Sequence, residues 1–220
     1  MAQMLRRILT GDGMRTSRFH DYHGNVIDLW GLRFLPRSVL SAVGLRLFAY
    51  RSATPWLGYR AIRHINSILS RESVVLEYGS GMSTLWFARR AGRVVSIETD
   101  GVWFSKIREK LESARHGHVT YLLSEVDQVP HVESVEDSSF DLVLVDGLTR
   151  DQVMKAAVRK VKPGGYVYLD NSDVPYPEFQ SARQILIEAA GDEPDVQFFR
   201  DFCPGQVSVT EGMLVRMPSK

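Results

Sequence analysis

Residues 74–84 read Val74-Val75-Leu76-Glu77-Tyr78-Gly79-Ser80-Gly81-Met82-Ser83-Thr84, and this stretch decides the fold. A short apolar run that ends in an acid and breaks into glycines is the pattern of a buried parallel strand leaving its sheet. Gly79 and Gly81 have no Cβ to stop the backbone from turning sharply or meeting a ligand. Ser83 or Thr84 can cap the helix that follows.

The same alternation runs downstream. Strands are expected at Arg93–Glu98, Val119–Leu123, Phe140–Val145 and Tyr166–Leu169, with helices at Ser83–Ala91, Trp103–Arg115, Asp151–Val161 and Pro177–Ala190. Lys162-Pro163-Gly164-Gly165 reads as a helix stop. Two late strands, Val196–Phe202 and Met213–Met217, have no helix between them and should pair antiparallel. The expected fold is α/β: a three-layer sandwich around a mostly parallel, seven-stranded sheet with a C-terminal antiparallel hairpin.

Working back from residue 74, Pro55 opens a helical pattern in which Leu57, Ala61, Ile62, Ile65, Ile68 and Leu69 recur at three- and four-residue spacing. Residues 1–54 read as an arginine-rich, partly helical extension and a candidate cap, with the main domain at 55–220. Leu35–Tyr50 reads as an amphipathic helix, either packed on the domain or lying on a membrane surface. Charge divides the same way. Residues 1–75 hold 11 Arg and 4 acids, whereas 76–220 hold 16 basic and 22 acidic residues. The basic part faces an anionic partner, the acidic half of its own chain, or solvent.

Composition excludes several classes. At 220 residues, 44% hydrophobic and 24% charged, the chain is an ordinary globular domain. Its one cysteine, Cys203, rules out an internal disulfide and a zinc site built on several cysteines. No run reaches the ~18 apolar residues of a membrane span, and Arg6-Arg7 is followed by no apolar stretch of the secretory kind. A cytoplasmic location is expected. His20-x-x-His23 and His116-Gly-His118 lack further metal ligands in a convincing frame, and Cys203 has no neighbouring base.

Candidate chemistry gathers at strand ends, where ligands bind in open α/β sheets. Those ends are Glu77, Glu98, Ser124-Glu125, Asp146 and Asp170-Asn171. Thr84 stands where a dinucleotide fingerprint needs its third glycine, and no phosphate loop or nucleophile elbow is present. A carboxylate at Glu98 can accept from both hydroxyls of a ribose. Beyond Glu98-Thr99-Asp100, Trp103 offers a face for adenine, or packs in its helix core.

These segments resemble the class I S-adenosylmethionine (SAM)-dependent methyltransferases. Val74–Thr84 looks like their first motif, Val95–Glu98 their second, Phe140–Gly147 their fourth, and Lys162–Tyr166 the turn into their fifth strand. The resemblance spans about residues 55–217 and implies a Rossmann-like fold with SAM as cofactor. It implies that Gly79, Ser80, Gly81, Ser83 and Thr84 line the methionine part, with Glu77 near its amino group. Glu98 and Thr99 would hold the ribose, and Ser124, Glu125 or Asp127 would lie near the adenine amine. Asp146 would sit under the methyl-transfer site. Ser83 replaces the third glycine of the commonest first motif, which marks a branch of the superfamily.

The expected reaction is methyl transfer to a small-molecule hydroxyl by in-line displacement, with Asp146, Asp170 and Asn171 as catalytic candidates. The chain partly resembles the metal-dependent O-methyltransferases, in which an Asp after strand four and an Asp-Asn pair after strand five hold a divalent cation. That makes Asp146, Asp170 and Asn171 candidate ligands for Mg2+. The alternative is that these residues cap helices and shape the cleft, with Arg150 and Asp173 meeting the acceptor and Tyr176 at the rim. A dehydrogenase, a non-catalytic nucleotide-binding protein and a nucleic-acid methyltransferase are the competing functions. The acidic body and the lack of an Asn-Pro-Pro-Tyr-type motif after strand four disfavour the last. Acceptor identity and oligomeric state are not legible.

Overall fold

The structure, a computed structural model, describes residues 14–124, 131 and 133–219. Seven strands form one sheet: β1 (Val74–Tyr78), β2 (Arg93–Glu98), β3 (Val119–Leu123), β4 (Phe140–Val145), β5 (Val161–Asp170), β6 (Asp195–Phe202) and β7 (Val209–Arg216). Their order is β3-β2-β1-β4-β5-β7-β6. β1 through β5 pair in parallel, and β7 runs antiparallel to both β5 and β6. The chain starts at the sheet centre, winds out to β3, then returns to lay β4 on the other side of β1. The winding therefore reverses between β1 and β4, and their carboxyl ends flank the crevice where such sheets bind ligands.

The described helices are α1 (Leu29–Leu32), α2 (Leu35–Phe48), α3 (Tyr59–Ile68), α4 (Met82–Ala88), α5 (Gly101–Ser113), α6 (Arg150–Lys160) and α7 (Pro177–Ala189). Alternate residues of a strand face opposite sides, and both sides of this sheet are covered. Val75, Leu142 and Leu144 pack with Ala61 and Ile65 of α3 and with Phe87 of α4. Leu76, Tyr78, Val143 and Val145 pack with Val153 and Met154 of α6 and with Ala182 and Leu186 of α7. This double burial explains why the strands read as continuous apolar runs.

Element boundaries differ most in three places. Lys162–Gly165 does not separate helix from strand, because α6 stops at Lys160 and β5 already begins at Val161. Val161 pairs with Phe140, the register then slips, and pairing resumes at Leu142 with Tyr166. The bulge absorbs Pro163 and the left-handed Gly164 (φ 75°). The helix expected from Pro55 begins instead at Tyr59, after Gly58 as its N-cap. β7 begins four residues earlier than expected, which shortens the hairpin connection to residues 203–208.

The N-terminal segment lies against the hairpin. Val209 N donates to the Arg18 carbonyl at 2.9 Å, and Phe19 meets Phe202 edge to face at 5.9 Å. Among the described residues, no helix is long and apolar enough to cross a membrane.

Candidate active site

The loop after β1 is held by backbone geometry and by hydroxyls. Gly79 has φ 80°, and a Cβ there would lie 2.6 Å from the Asp146 carbonyl oxygen. Only glycine lets the loop cross the end of β4 this closely. Gly81 is different. Its backbone is extended, and an added Cβ would make only ordinary contacts, the nearest at 3.7 Å to Ser83 Oγ. Thr84 ties this loop together from inside. Its hydroxyl accepts from Gly81 N at 3.1 Å and donates to Glu77 Oε2 at 2.5 Å.

Glu77 is fully buried. It also accepts from Ser96 Oγ at 2.6 Å, and the Ser83 hydroxyl lies beside it. Burial pushes its carboxyl up to about 7, against the pull of these hydroxyls. Near neutrality the group is therefore poised to gain from a cation placed next to it.

Glu98, at the end of β2, fastens two loops. Oε2 accepts from Ser80 N at 3.0 Å and from Ser80 Oγ at 2.6 Å. Oε1 accepts from Thr99 N at 2.8 Å and Asp100 N at 3.0 Å. Four donors fill the four acceptor positions of a carboxylate. Ser80 Oγ has a second partner, Tyr121 Oη at 2.6 Å, so it can leave Glu98 without being stranded.

Trp103 donates from Nε1 to the Ser80 carbonyl at 2.9 Å, and Asp100 caps α5 through Val102 N and Trp103 N. The indole therefore has a fixed place on the cleft wall. Ser124 is buried after β3, with Oγ 3.1 Å from His131 Nδ1. Glu125 and Asp127 lie outside the described residues.

A cavity of about 310 Å3 opens between these groups, lined by Ser80, Gly81, Met82, Ser83, Trp103, Asp146, Arg51 and Trp56. Arg51 and Trp56 were not anticipated from sequence. The Arg51 guanidinium lies 4.7 Å from the Trp56 ring centre and 5.1 Å from that of Trp103. It joins the segment before α3 to the start of α5 through two cation–π contacts. The signal for this was slight: an arginine and a tryptophan flanking Pro55 in a stretch without periodicity.

Asp146, Asp170 and Asn171 do converge at the ends of β4 and β5, but the cation among them is a side chain. Arg150 Nη2 donates to Asp146 Oδ1 at 2.8 Å and to Asn171 Oδ1 at 3.4 Å. Its guanidinium lies 4.3 Å from the Phe179 ring centre, and Arg150 is only 7% exposed. Asp170 is buried within hydrogen-bonding reach of Asp146. Burial, then the neighbouring Asp146 charge, pushes its carboxyl well above the usual range. Burial also raises Asp146, and Arg150 opposes that rise. Asp170 is thus the acid of the pair that burial pushes up further, and Asp146 the one whose rise the guanidinium opposes. A fixed monocation thus uses the Asp146 Oδ1 and Asn171 Oδ1 oxygens that Mg2+ would need, so this arrangement does not fit an oxygen-liganded dication.

Asp173 is not at the acceptor position. It is fully buried and accepts from Tyr22 N at 2.8 Å, pinning the N-terminal segment. Tyr176 is 46% exposed and tilts on Phe179 at 6.2 Å. Cys203 is buried and its thiol is pushed up to about 12 by burial, which suits packing and not attack. Asp21, His23 and Glu211 bring ligand atoms within 4.8 Å of one another. There too an arginine is already in place, with Arg200 Nε 2.8 Å from Asp21 and 2.7 Å from Glu211.

Residues 76–172 match the family model described as a methyltransferase domain. Among solved structures, the chain is similar to the O-methyltransferase TomG of Streptomyces achromogenes, involved in tomaymycin synthesis and crystallised with SAM. That similarity has TM-score 0.63 and 20% identity, over 87% of this chain and 100% of that one. It is also similar to an O-methyltransferase from Bacillus cereus crystallised with S-adenosylhomocysteine (SAH), at TM-score 0.56 and 16% identity, over 83% and 99% of the two chains. An rRNA methylase from Streptococcus thermophilus follows at TM-score 0.54 and 12% identity, over 73% and 95%. No curated protein sequence matches the chain. Likeness at such low identity speaks for the fold alone, and the domain match falls on the segment that carries the glycine loop, Glu98, Asp146 and Asp170. Residues 76–172 of this chain thus match a methyltransferase domain, on a fold shared with structures crystallised with SAM and SAH.

Proposed function

We propose that the protein transfers a methyl group from SAM to a hydroxyl oxygen of a small molecule, without a metal, using Asp146 and Arg150. The observation that carries this reading is the double position of Asp146. It lines the cavity beside the glycine loop and is held by Arg150, four residues on at the start of α6.

When bound, SAM supplies an electrophilic methyl on a sulfonium, so the protein is left to bind, orient and deprotonate. Glu77 and the Gly79–Ser83 turn are placed for the methionine end. Glu98 would hold the ribose, and since four donors already fill its carboxylate, Ser80 Oγ, with Tyr121 as a second partner, is the group that would give way. Trp103, Arg51 and Trp56 wall the cavity against water. Asp146 accepts the proton of the acceptor hydroxyl as the oxygen attacks, and Arg150 keeps Asp146 ionised until then. Asp170 is buried beside the same carboxylate. Residues 51–56 act as a cap on the cofactor pocket.

Calorimetric titration with SAM and SAH, for the native protein and Glu98→Ala, tests the cofactor half. Micromolar binding that is lost in the variant supports it, and no binding by the native chain sinks it. Transfer of tritiated methyl to a panel of phenolic, sugar and hydroxylated acceptors, with EDTA present throughout, tests the rest.

A further inference from the structure

Helix α2 is packed the wrong way round for a domain helix. Its inward face is made of small residues: Ser38 and Ala42 are buried, and Ser38 Oγ donates to the Cys203 carbonyl at 3.3 Å. Its outward face carries the larger apolar groups. Leu40 and Leu47 are 72% and 71% exposed, with Val43 between them. Positions 40, 43 and 47 share one helical stripe. The patch continues at both ends of the helix, with Leu29 and Trp30 on α1 and Phe48 and Tyr50 beyond. Apolar side chains this large, gathered on one face, mark a surface built to meet something.

Charge says what it meets. Residues 29–71 contain seven arginines and not one acid. Arg33, Arg37, Arg46 and Arg51 are exposed around the apolar stripe, and no carboxylate pairs with them among the described residues. Arg33 and Arg37 lie against the rings of Trp30 and Tyr59, contacts that leave their charge in place. A second copy of the chain would bring this cationic face against itself. A polyanion without an apolar layer would satisfy the arginines and leave the leucines in water. An anionic lipid surface satisfies both, with apolar side chains entering the acyl boundary, tryptophan and tyrosine at headgroup level, and arginines on the phosphates.

We infer that α1 and α2 form a docking face for anionic phospholipid bilayers. The face is independent of the reading of the active site. It leads, through Arg51 and Trp56, directly to the wall of the cofactor pocket.

The test is flotation of the full chain with vesicles of phosphatidylcholine alone and with 30% phosphatidylglycerol (about a third of the lipid, enough to set an anionic surface potential). Native protein should float with the anionic vesicles and remain behind with the neutral ones. Leu40→Asp combined with Leu47→Asp should abolish flotation. Both positions are exposed, so the fold is kept, and an unchanged melting temperature checks this. Replacing Arg37 or Arg46 by Ser should weaken binding roughly fivefold each at low salt. Three results would overturn the inference: no flotation of the native chain, flotation indifferent to the leucine variants, or a concentration-dependent dimer that the same variants dissolve. SAM titration on the same samples reports separately on the methyltransferase reading.

Discussion

Arg150, at the start of α6, returns to Asp146 at the end of β4, with Nη2 2.8 Å from Oδ1. The chain bends to make this possible. Thr149 sits in the left-handed region at φ 50° and ψ 45°, a strained place for a β-branched residue. That strain turns the first residue of α6 back over the end of β4. The result is a permanent positive charge beside the carboxylate that faces the cavity.

Asp146→Ala and Arg150→Ala should each lower turnover by about two to three orders of magnitude. The double variant should be little worse than either single one, because the two act as a unit. Arg150→Lys should recover part of the activity, since lysine keeps the charge but loses the planar fork. EDTA should leave the native rate unchanged. Single-turnover rates at saturating SAM measure all of these, and a native enzyme silenced by EDTA would contradict the assignment of Arg150 as the site's cation.

The two glycines of the first loop should part company. Gly79→Ala meets both a positive φ and the Asp146 backbone, and should cost about 1–3 kcal/mol of stability. Gly81→Ala has room within the protein and should melt within about 0.5 kcal/mol of native. Gly81 lines the cavity proposed for SAM, so SAM affinity should still fall. Chemical denaturation and calorimetry on the two variants separate backbone need from ligand contact.

Glu98→Ala should lose SAM binding, whereas Ser80→Ala should retain or improve it. Removing the Ser80 hydroxyl frees one acceptor position on Glu98 in advance, an advantage of roughly threefold on the scale of one net hydrogen bond. If Ser80→Ala instead abolished binding, Ser80 would be a direct contact and not the group displaced.

Two buried acids make stability fall as pH rises. Burial raises Glu77 from 4.5 to about 7 and Asp201 from 3.8 to about 6. A carboxyl whose folded pKa is raised holds its proton more tightly in the folded state. Its contribution is full below the unfolded value and is lost through the folded one. Melting temperature should therefore decline between about pH 4.5 and about pH 7. Glu77→Gln should flatten the upper part of that decline, as thermal melts in a pH series would reveal.

Most of the sheet was legible because parallel strands buried on both faces must be apolar throughout. Residues 93–98 and 140–145 were found to the residue for that reason, and 119–123 as closely although they form a half-buried edge strand. The Lys162–Gly165 segment was misread because a bulge uses the same proline and glycines as a helix stop. Acidic strand ends pointed to the cleft but not to its charge balance. Nothing in the spacing of Asp146, Asp170 and Asn171 distinguishes a dication from a guanidinium. That distinction depended on the direction in which Arg150 leaves the backbone, which Thr149 sets. Arg51 and Trp56 were hidden because their contacts cross long sequence separations and follow no period.

The contact of Arg51 with Trp103 also has a bearing on how cofactor affinity is inherited. One wall of the pocket comes from chain that precedes the first strand and carries none of the recognisable motifs. Two proteins with identical strand-end signatures can thus differ widely in their hold on SAM, according to what their leading segments lay across the opening. In this protein, evolution can adjust that grip by altering residues 51–56 alone, leaving the transfer chemistry untouched.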